Sequence, residues 1–273
     1  MLKIKPHIYL ISDSTGETVS TVARSAYARF ERVEPEEHKW ALIRSERQLK
    51  EVLLKIKEKP GLVLYTLINK DLENLLIHGC SKIGVNIVPV LETTIKAMKK
   101  SFNKTEEVDR PGKQHDMDKQ YFNRIDALQY AVTNDDGQIS SNLKEAEIIL
   151  IGVSRTSKTP TSMYLANKGI KVANVPFVLN QKINLNVNRK KTLLIGLFAS
   201  PERLLQIRKS RLNSLNEENE TNYTNLESVK KELQQARRYF NENKCSTIDV
   251  SRKSIEEIAA AVLEYMRKFK ETQ

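Results

Sequence analysis

Short apolar runs alternate with amphipathic segments along the first half of the chain. Residues 8–12 and 62–68 are apolar runs of strand length, whereas residues 19–30 carry apolar side chains at the three- and four-residue spacing of a helix. Strands that alternate with helices predict a mostly parallel sheet with helices on its faces. The predicted strands of this half are 8–12, 38–43, 62–68 and 85–91, and the predicted helices are 19–30, 46–58, 71–83 and 92–102.

The second half begins again with an apolar strand at 147–153 and has the same mixture of elements, although no internal sequence repeat is visible. Ser200 and Pro201 are typical of the start of one helix, and Ser254 with Glu257 forms the capping-box pattern of another. The other predicted strands are 171–179, 191–198 and 245–251, and the predicted helices are one through Tyr164 and Leu165, then 200–212, 226–243 and 253–269.

A polar segment at 133–142 follows an amphipathic helix at 121–132 and separates the two halves. It contains Asp135, Asp136 and Gly137, which are strong turn formers. We therefore predict an α/β protein with two lobes, 1–140 and 141–273, each a mostly parallel sheet flanked by helices, the C-terminal lobe being P-loop-like.

The composition limits the kinds of partner that the protein can bind, but it does not single out one of them. The net charge of +11 suits polyanions such as nucleic acid or phosphorylated ligands, but a solvated basic surface explains it equally well. Cys80 and Cys245 lie far apart, and the four histidines show no metal-ligand spacing. No apolar run is long enough to span a bilayer, and the N-terminus does not read as a signal peptide, so we expect a cytoplasmic protein without a membrane partner.

The stretch after the strand at 147–153 is the first candidate for chemistry. It follows the pattern G-x-x-x-x-S-K-T, one position away from a phosphate-binding loop, with serine where glycine is usual. Backbone N–H groups at a helix start, together with the helix dipole, attract phosphate, a lysine supplies a full charge, and a Ser or Thr hydroxyl can ligate Mg²⁺. The candidate binding residues are Gly152, Val153, Ser154, Arg155, Thr156, Ser157, Lys158 and Thr159.

Two interpretations of this loop stay open at the level of the residues. Serine can stand at position 157 if its φ is negative or if some strain is tolerated. Pro160 is compatible with a helix start, because the missing N–H is not needed there. The alternative is an ordinary strand-to-helix turn rich in Ser and Thr, which favour such starts anyway.

A second loop, at 12–20, also follows a strand and precedes a helix. Ser14 and Glu17 fit a capping box there, which is a complete structural explanation. The functional interpretation is that a set of polar residues faces the carboxyl end of the sheet, where open α/β folds bind ligands. That set is Asp13, Ser14, Thr15, Gly16 and Thr18.

Two weaker groups and a single histidine complete the candidates; the histidine, His115, is a possible proton carrier, although a surface histidine is the simpler explanation. Arg203, Arg208 and Arg211 are possible phosphate contacts, although a solvated helix face is the simpler explanation. Asp135 and Asp136 are possible Mg²⁺ ligands or bases, although Asp-Asp-Gly is more often a turn.

Six segments occur in an order that resembles a known family. They are ISDSTGET, YFNRIDALQYAVTNDDG, GVSRTSKTPTSMYLA, KVANVP, PERLLQIRKSRL and IDVSRKSIEE. Together, over about residues 8–258, the chain is similar to the bacterial regulatory proteins of pyruvate, phosphate dikinase and of phosphoenolpyruvate synthetase.

That resemblance implies a bifunctional enzyme. As a serine/threonine kinase, such a protein uses ADP to phosphorylate a threonine of its target and inactivate it; as a phosphorylase, it uses inorganic phosphate to remove that group as pyrophosphate. The loop at 152–159 would then bind ADP, with Lys158 neutralising the transferred phosphoryl group, Arg155 assisting and Thr159 ligating Mg²⁺. Asp13 would be a base or a metal contact.

The implied target is pyruvate, phosphate dikinase, with the synthetase as the alternative, and a homodimer is possible. A small-molecule P-loop kinase is a further alternative. A nucleic-acid-binding regulator is the weakest, because no helix-turn-helix, zinc-finger or aromatic RNA-binding signature is present.

Overall fold

Two compact units make up the chain, Met1–Asp116 and Met117–Gln273. The computed structural model describes residues 4–104, 111–112, 119–135, 143–181, 183, 185, 187–214 and 222–272. Within these residues, no helix is both long enough and apolar enough to cross a bilayer.

In its described residues, the first unit is an alternation of four strands and four helices. Its strands are all paired in parallel, in the order β2-β1-β3-β4. The elements are β1 His7–Ser12, α1 Glu17–Tyr27, β2 Glu36–Trp40, α2 Glu46–Glu58, β3 Leu62–Thr66, α3 Lys70–Ile83, β4 Ile87–Pro89 and α4 Glu92–Phe102.

Helices cover both faces of this sheet, as the alternating side chains of β1 illustrate. Ile8 and Leu10 pack with residues of α1 on one face, whereas Tyr9 and Ile11 pack with residues of α2 and α3 on the other. Successive side chains of a strand point to opposite faces, so a continuous apolar run such as β1 contributes to two cores.

The second unit has the same strand order, β6-β5-β7-β8, and the same parallel pairing. Its elements are α5 Lys119–Thr133, β5 Ile148–Gly152, α6 Lys158–Ala166, β6 Val172–Pro176, β7 Leu193–Phe198, α7 Pro201–Ser214, α8 Leu226–Glu242, β8 Ser246–Asp249 and α9 Ile255–Glu271, with short 3₁₀ helices at Leu143–Glu145 and Asn222–Thr224.

Strand β5 is buried along its whole length and is the centre of the second unit. Ile149 and Ile151 pack against α8, and Ile148 and Leu150 pack against α9. The prediction of two parallel sheets flanked by helices is therefore confirmed.

Local signals place most helix ends correctly. Ser254 and Glu257 form the predicted capping box at the start of α9, and the Ser200 hydroxyl accepts a hydrogen bond from the Arg203 N–H at the start of α7. Helix α2 has a further capping box, between Ser45 and Gln48.

Several elements differ from the sequence prediction, and β2 and α5 illustrate the two kinds of difference. Strand β2 begins two residues early, because Glu36 pairs with His7, and it ends at Trp40, shortly before Leu42 takes a left-handed φ of 57°. Helix α5 lies within the second unit, since Ala127 and Ala131 pack with Ala166 of α6. The predicted lobe boundary at residue 140 puts this helix in the first lobe.

Candidate functional site

The loop after β5 lies where the order of the strands in the sheet of the second unit reverses. Strand β5 is paired with β6 on one side and with β7 on the other, so the connection from β5 to β6 and the connection from β7 to β8 run in opposite directions along the sheet. In open α/β sheets, such a switch point leaves a crevice at the carboxyl ends of the strands, where ligands bind. The residues after Gly152 therefore occupy the position in this sheet that is best suited to a ligand.

Gly152 ends β5 where two backbones lie very close together. A Cβ at this position would stand 2.5 Å from the Leu197 carbonyl oxygen and 2.7 Å from Thr156 Oγ1. Both separations are shorter than real carbon contacts, so only glycine fits. The Thr156 hydroxyl turns back into the loop and donates to the Val153 carbonyl at 2.9 Å.

Two residues of the loop have left-handed backbones. The φ of Arg155 is 73° and that of Ser157 is 60°. Ser157 is the N-cap of α6, and its hydroxyl makes no capping hydrogen bond. The sign of φ alternates from Ser154 to Ser157, and such alternation can turn successive N–H groups toward one concavity, as in an anion-binding nest. Ser157 therefore does not have a negative φ; it stands at this position with a strained backbone, which was the second of the two possibilities.

Lys158 lies inside this loop and does not extend into solvent. The residue is 5% exposed, and its Nζ donates to the Val153 carbonyl at 3.0 Å. A buried ammonium held on a backbone carbonyl at the start of a helix is positioned to exchange that contact for a phosphate oxygen.

Thr159 is part of a polar cluster that the sequence did not place together. Its hydroxyl donates to Asp135 Oδ1 at 3.0 Å, and the Asn174 amide donates to the same carboxylate oxygen and, at 2.9 Å, to the Thr159 hydroxyl. The Asn174 N–H also donates to the Asn134 carbonyl at 2.9 Å, which ties the end of α5 to β6. Asp136, the other acidic candidate, lies outside the described residues.

This cluster supplies the oxygen ligands that Mg²⁺ prefers. Asp135 contributes a carboxylate and Thr159 a hydroxyl. Asn174 is 2% exposed, and its Oδ1 is a buried oxygen with no hydrogen-bond partner in the part of the chain that is described. Asn174 is not among the site residues predicted from the sequence, although an asparagine inside the buried strand VANVP was the available signal.

Arg208 holds the other side of the loop. The residue is 2% exposed, and its guanidinium donates to the Ser154 carbonyl at 3.2 Å, to the Tyr223 carbonyl at 3.2 Å and to Glu232 Oε2 at 2.8 Å. It also stacks on the Tyr223 ring, 4.5 Å from the centroid. A buried arginine with these contacts orients the loop backbone. The sequence could not distinguish it from its neighbours on α7.

The other arginines differ from Arg208. Arg155 is exposed and donates to the Tyr223 hydroxyl at 3.2 Å, beside the loop. Arg203 and Arg211 are exposed on α7, and Arg203 donates to Gln206. The solvated-face interpretation therefore suits these two residues.

The polar residues after β1 line a cavity of about 930 Å³ in the first unit. Its wall includes the whole predicted set, together with residues of α3 and α4. The predicted capping box is wrong: α1 begins at Glu17 with Gly16 as its N-cap at φ 77°, without a side-chain cap, so Ser14 lies too far upstream. The set consists of Asp13, Ser14, Thr15, Gly16 and Thr18.

Asp13 is the buried carboxyl of this cavity, 4% exposed. Its Oδ2 accepts a hydrogen bond from the Ile68 N–H at 2.6 Å, and its own carbonyl accepts one from Arg44 Nε at 3.2 Å. Burial raises the pKa of the Asp13 carboxyl, although the Ile68 N–H and the charge of Arg44 favour its ionised form. A carboxyl with a raised pKa at the ligand edge of a sheet is suited to accept a proton.

Comparison with known proteins extends over nearly the whole chain. A family model described as Kinase/pyrophosphorylase matches residues 8–263. A similar curated protein from Rhizorhabdus wittichii is 44% identical over 95% of this chain and 95% of its own. One from Chelativorans sp. is 44% identical over 94% of this chain and 94% of its own. A protein from Novosphingobium aromaticivorans is 45% identical over 94% of this chain and 92% of its own. All three are provisionally named pyruvate, phosphate dikinase regulatory protein.

A similar solved structure adds nothing to this result. A periplasmic solute-binding protein of an ABC transporter from Actinobacillus succinogenes, with bound D-allose, is 12% identical and covers 98% of this chain and 92% of its own. Its TM-score of 0.25 is too low to support an argument about fold or ligand.

Proposed function

This chain belongs to the Kinase/pyrophosphorylase family, and on that premise we propose that it regulates pyruvate, phosphate dikinase by phosphorylating it and removing the phosphate again. The phosphoryl donor is ADP and the acceptor is a threonine of the target. In a second reaction, which restores the target, inorganic phosphate takes up the phosphoryl group and forms pyrophosphate. The names of the three relatives support the target, and the loop after β5 supports the phosphoryl chemistry.

Both directions can be written as balanced phosphoryl transfers. In the kinase direction, the threonine oxygen bonds to the terminal phosphorus of ADP, the bond to the bridging oxygen breaks, AMP leaves and the hydroxyl proton is released. In the phosphorylase direction, an oxygen of inorganic phosphate bonds to the phosphorus of phosphothreonine, the bond to threonine breaks, the threonine oxygen takes up a proton and pyrophosphate leaves.

The residues of the loop have separate parts in this proposal. The backbone N–H groups around the left-handed Arg155 and Ser157 hold the diphosphate, and the Lys158 ammonium neutralises the phosphoryl group in transit. Thr159 and Asp135 would hold Mg²⁺, which, when bound, neutralises charge on the diphosphate. These interactions act mainly by positioning and charge stabilisation, the main requirements of phosphoryl transfer.

Asp13 is proposed as a base or a metal contact at the cavity of the first unit. Its raised pKa brings a carboxyl closer to the range in which it exchanges protons at neutral pH. The pH dependence of the transfer rate in Asp13→Asn tests this role. Loss of the acidic limb of the profile supports a base, and an unchanged profile argues against it.

Transfer of label is the direct test of the proposal. The protein is incubated with Mg²⁺, purified pyruvate, phosphate dikinase and ADP labelled in its terminal phosphate, and label is expected in a threonine of the target, with AMP as product. Incubation of the phosphorylated target with inorganic phosphate is expected to yield pyrophosphate. The same assay with phosphoenolpyruvate synthetase distinguishes the two targets, and transfer from ATP alone, or to a metabolite, would refute the proposal.

Lys158→Ala tests the loop itself. We expect the transfer rate to fall by about 10²- to 10³-fold, the usual effect of removing one group that stabilises charge in a transition state. Lys209→Ala, which removes an exposed lysine of α7 in the same unit, is the matched control and should retain the rate. Activity retained in Lys158→Ala would remove the central role of the loop.

A further inference from the structure

Three potential metal ligands meet at the amino ends of β1 and β2. His7 is the first residue of β1, and Glu36 and His38 are the first and third residues of β2. The parallel register pairs His7 with Glu36 and Tyr9 with His38, which brings together residues that are about 30 positions apart in the chain. The cluster lies at the opposite edge of the sheet from the cavity that contains Asp13, which opens at the carboxyl ends of the strands.

The donor atoms are close enough together to bind one metal ion after small side-chain adjustments, because one ligand atom from each residue lies within 4.8 Å of the other two. His7 Nδ1 lies 3.0 Å from His38 Nε2 and 3.6 Å from Glu36 Oε2, and His38 Nε2 lies 3.8 Å from Glu36 Oε1. Ligand atoms of a tetrahedral Zn²⁺ with bonds of about 2.0–2.1 Å are about 3.3 Å apart. Among the described residues, this is the group of His, Cys, Asp and Glu side chains close enough together to hold a metal ion.

The surroundings keep the ligands in place but leave them accessible. The Tyr9 ring stacks on His38 with centroids 4.6 Å apart, and its hydroxyl donates to the backbone carbonyls of Lys55 and Lys59. The side chains of His7 and His38 are about one quarter exposed, at 25% and 23%, and that of Glu36 is 52% exposed. A metal ion can therefore enter from the Glu36 side without unfolding the sheet.

A lysine of the protein also lies close to the cluster. The Lys59 ammonium is 3.7 Å from Glu36 Oε1. The Lys59 side chain is 58% exposed, so it can move into water when a cation takes its place at the carboxylate.

We propose that His7, Glu36 and His38 form a binding site for Zn²⁺ on the first unit. Two imidazoles and a carboxylate suit zinc, with water as the fourth ligand, whereas Mg²⁺ prefers an all-oxygen set such as that at Thr159 and Asp135. Because β2 is the edge strand of the sheet, the ion would join β2 to β1. The site is thus structural or regulatory, and it neither depends on nor replaces the phosphoryl-transfer site.

Calorimetric titration tests this site in the full chain. The protein is prepared without an affinity tag, stripped of metal and carries Cys245→Ser, so that the partly accessible thiol does not compete. We expect saturable binding of one Zn²⁺ at micromolar concentration, undiminished by excess Mg²⁺. His7→Ala and Glu36→Gln should each weaken this binding at least tenfold.

A matched control and a second measurement make the result decisive. His78→Ala removes an exposed histidine of α3 in the same unit and should leave Zn²⁺ binding unchanged. Trp40 lies on β2 and is the protein's one tryptophan, so its fluorescence reports the unfolding of this unit. Zn²⁺ should raise that unfolding temperature in the parent protein and not in Glu36→Gln, whose side chain has the same shape and is expected to fold.

Three results would overturn the proposal. They are the absence of saturable Zn²⁺ binding, binding that is unchanged in His7→Ala and Glu36→Gln, and binding that is lost in His78→Ala.

Discussion

The left-handed backbone of Ser157 allows a quantitative test of the loop geometry. Its φ of 60° and ψ of 23° cost an L-residue about 1–2 kcal/mol, whereas glycine adopts them without this penalty. The Ser157 hydroxyl makes no capping hydrogen bond, so its removal sacrifices no such contact. Ser157→Gly therefore relieves strain, against about 0.4–1 kcal/mol of added entropy in the unfolded chain. We expect a net stabilisation of about 0.5–1 kcal/mol.

Two further substitutions separate strain from side-chain effects. Ser157→Ala removes the hydroxyl and keeps the strain, so we expect a change close to zero. Ser154→Gly introduces a glycine three residues earlier, where φ is not left-handed, and should destabilise by about 0.4–1 kcal/mol. The Ser154 hydroxyl also lies 3.4 Å from the Tyr223 hydroxyl, and the loss of this long contact in Ser154→Gly would likewise destabilise the protein.

Hydrogen exchange of peptides from β5 and α6 measures these changes where they occur. Tryptophan fluorescence would not report these changes, because Trp40 belongs to the first unit. A stabilisation of about 0.5–1 kcal/mol slows exchange about two- to fivefold in Ser157→Gly, and Ser154→Gly should show the opposite. Exchange that is unchanged or faster in Ser157→Gly would refute the strained backbone.

Three other predictions concern buried ionisable groups. Arg208→Ala leaves the Glu232 carboxylate without its guanidinium partner and should lower the free energy of unfolding by about 3–5 kcal/mol. Urea unfolding followed by circular dichroism measures this change, and a decrease below about 1 kcal/mol would contradict the anchoring role. Because burial raises the pKa of Asp13, the contribution of this carboxyl to stability should fall as pH rises from the usual aspartate value through the raised one, where the unfolded chain holds fewer protons at this position. Relative to wild type, Asp13→Asn should gain stability over that interval, and parallel pH profiles of the unfolding midpoint would refute this. Burial raises the pKa of Cys80 to about 11, so only ~0.1% is thiolate at pH 8, and iodoacetamide should modify Cys80 in urea-unfolded but not in native protein, as mass spectrometry can show.

Local chemistry explains why much of the fold was predictable. The continuous apolar run of β5 and the helical spacing of α1 depend only on neighbouring residues, as does the capping box that begins α9. The signals failed where a distant partner decides the outcome. Helix α5 is amphipathic in either lobe, and only its packing with α6 assigns it to the second unit.

In the candidate site, too, some features follow from the local sequence and others depend on distant partners. The spacing of Lys158 and Thr159 after a strand predicted a loop between a strand and a helix start, which the structure confirms, and the binding of phosphate there stays a prediction. The sequence left two possibilities for the φ of Ser157, and the structure decided for the left-handed one.

What the sequence determined by itself was thus the order of strands and helices and the polar loops at their ends. Only the tertiary structure brought Asp135 and Asn174 to Thr159, Arg208 to the loop backbone, and His7 to His38. These partners lie 15 to 54 residues apart. Strand register and helix packing bring such distant residues together, and both are set by burial of the whole apolar surface, which no local pattern contains.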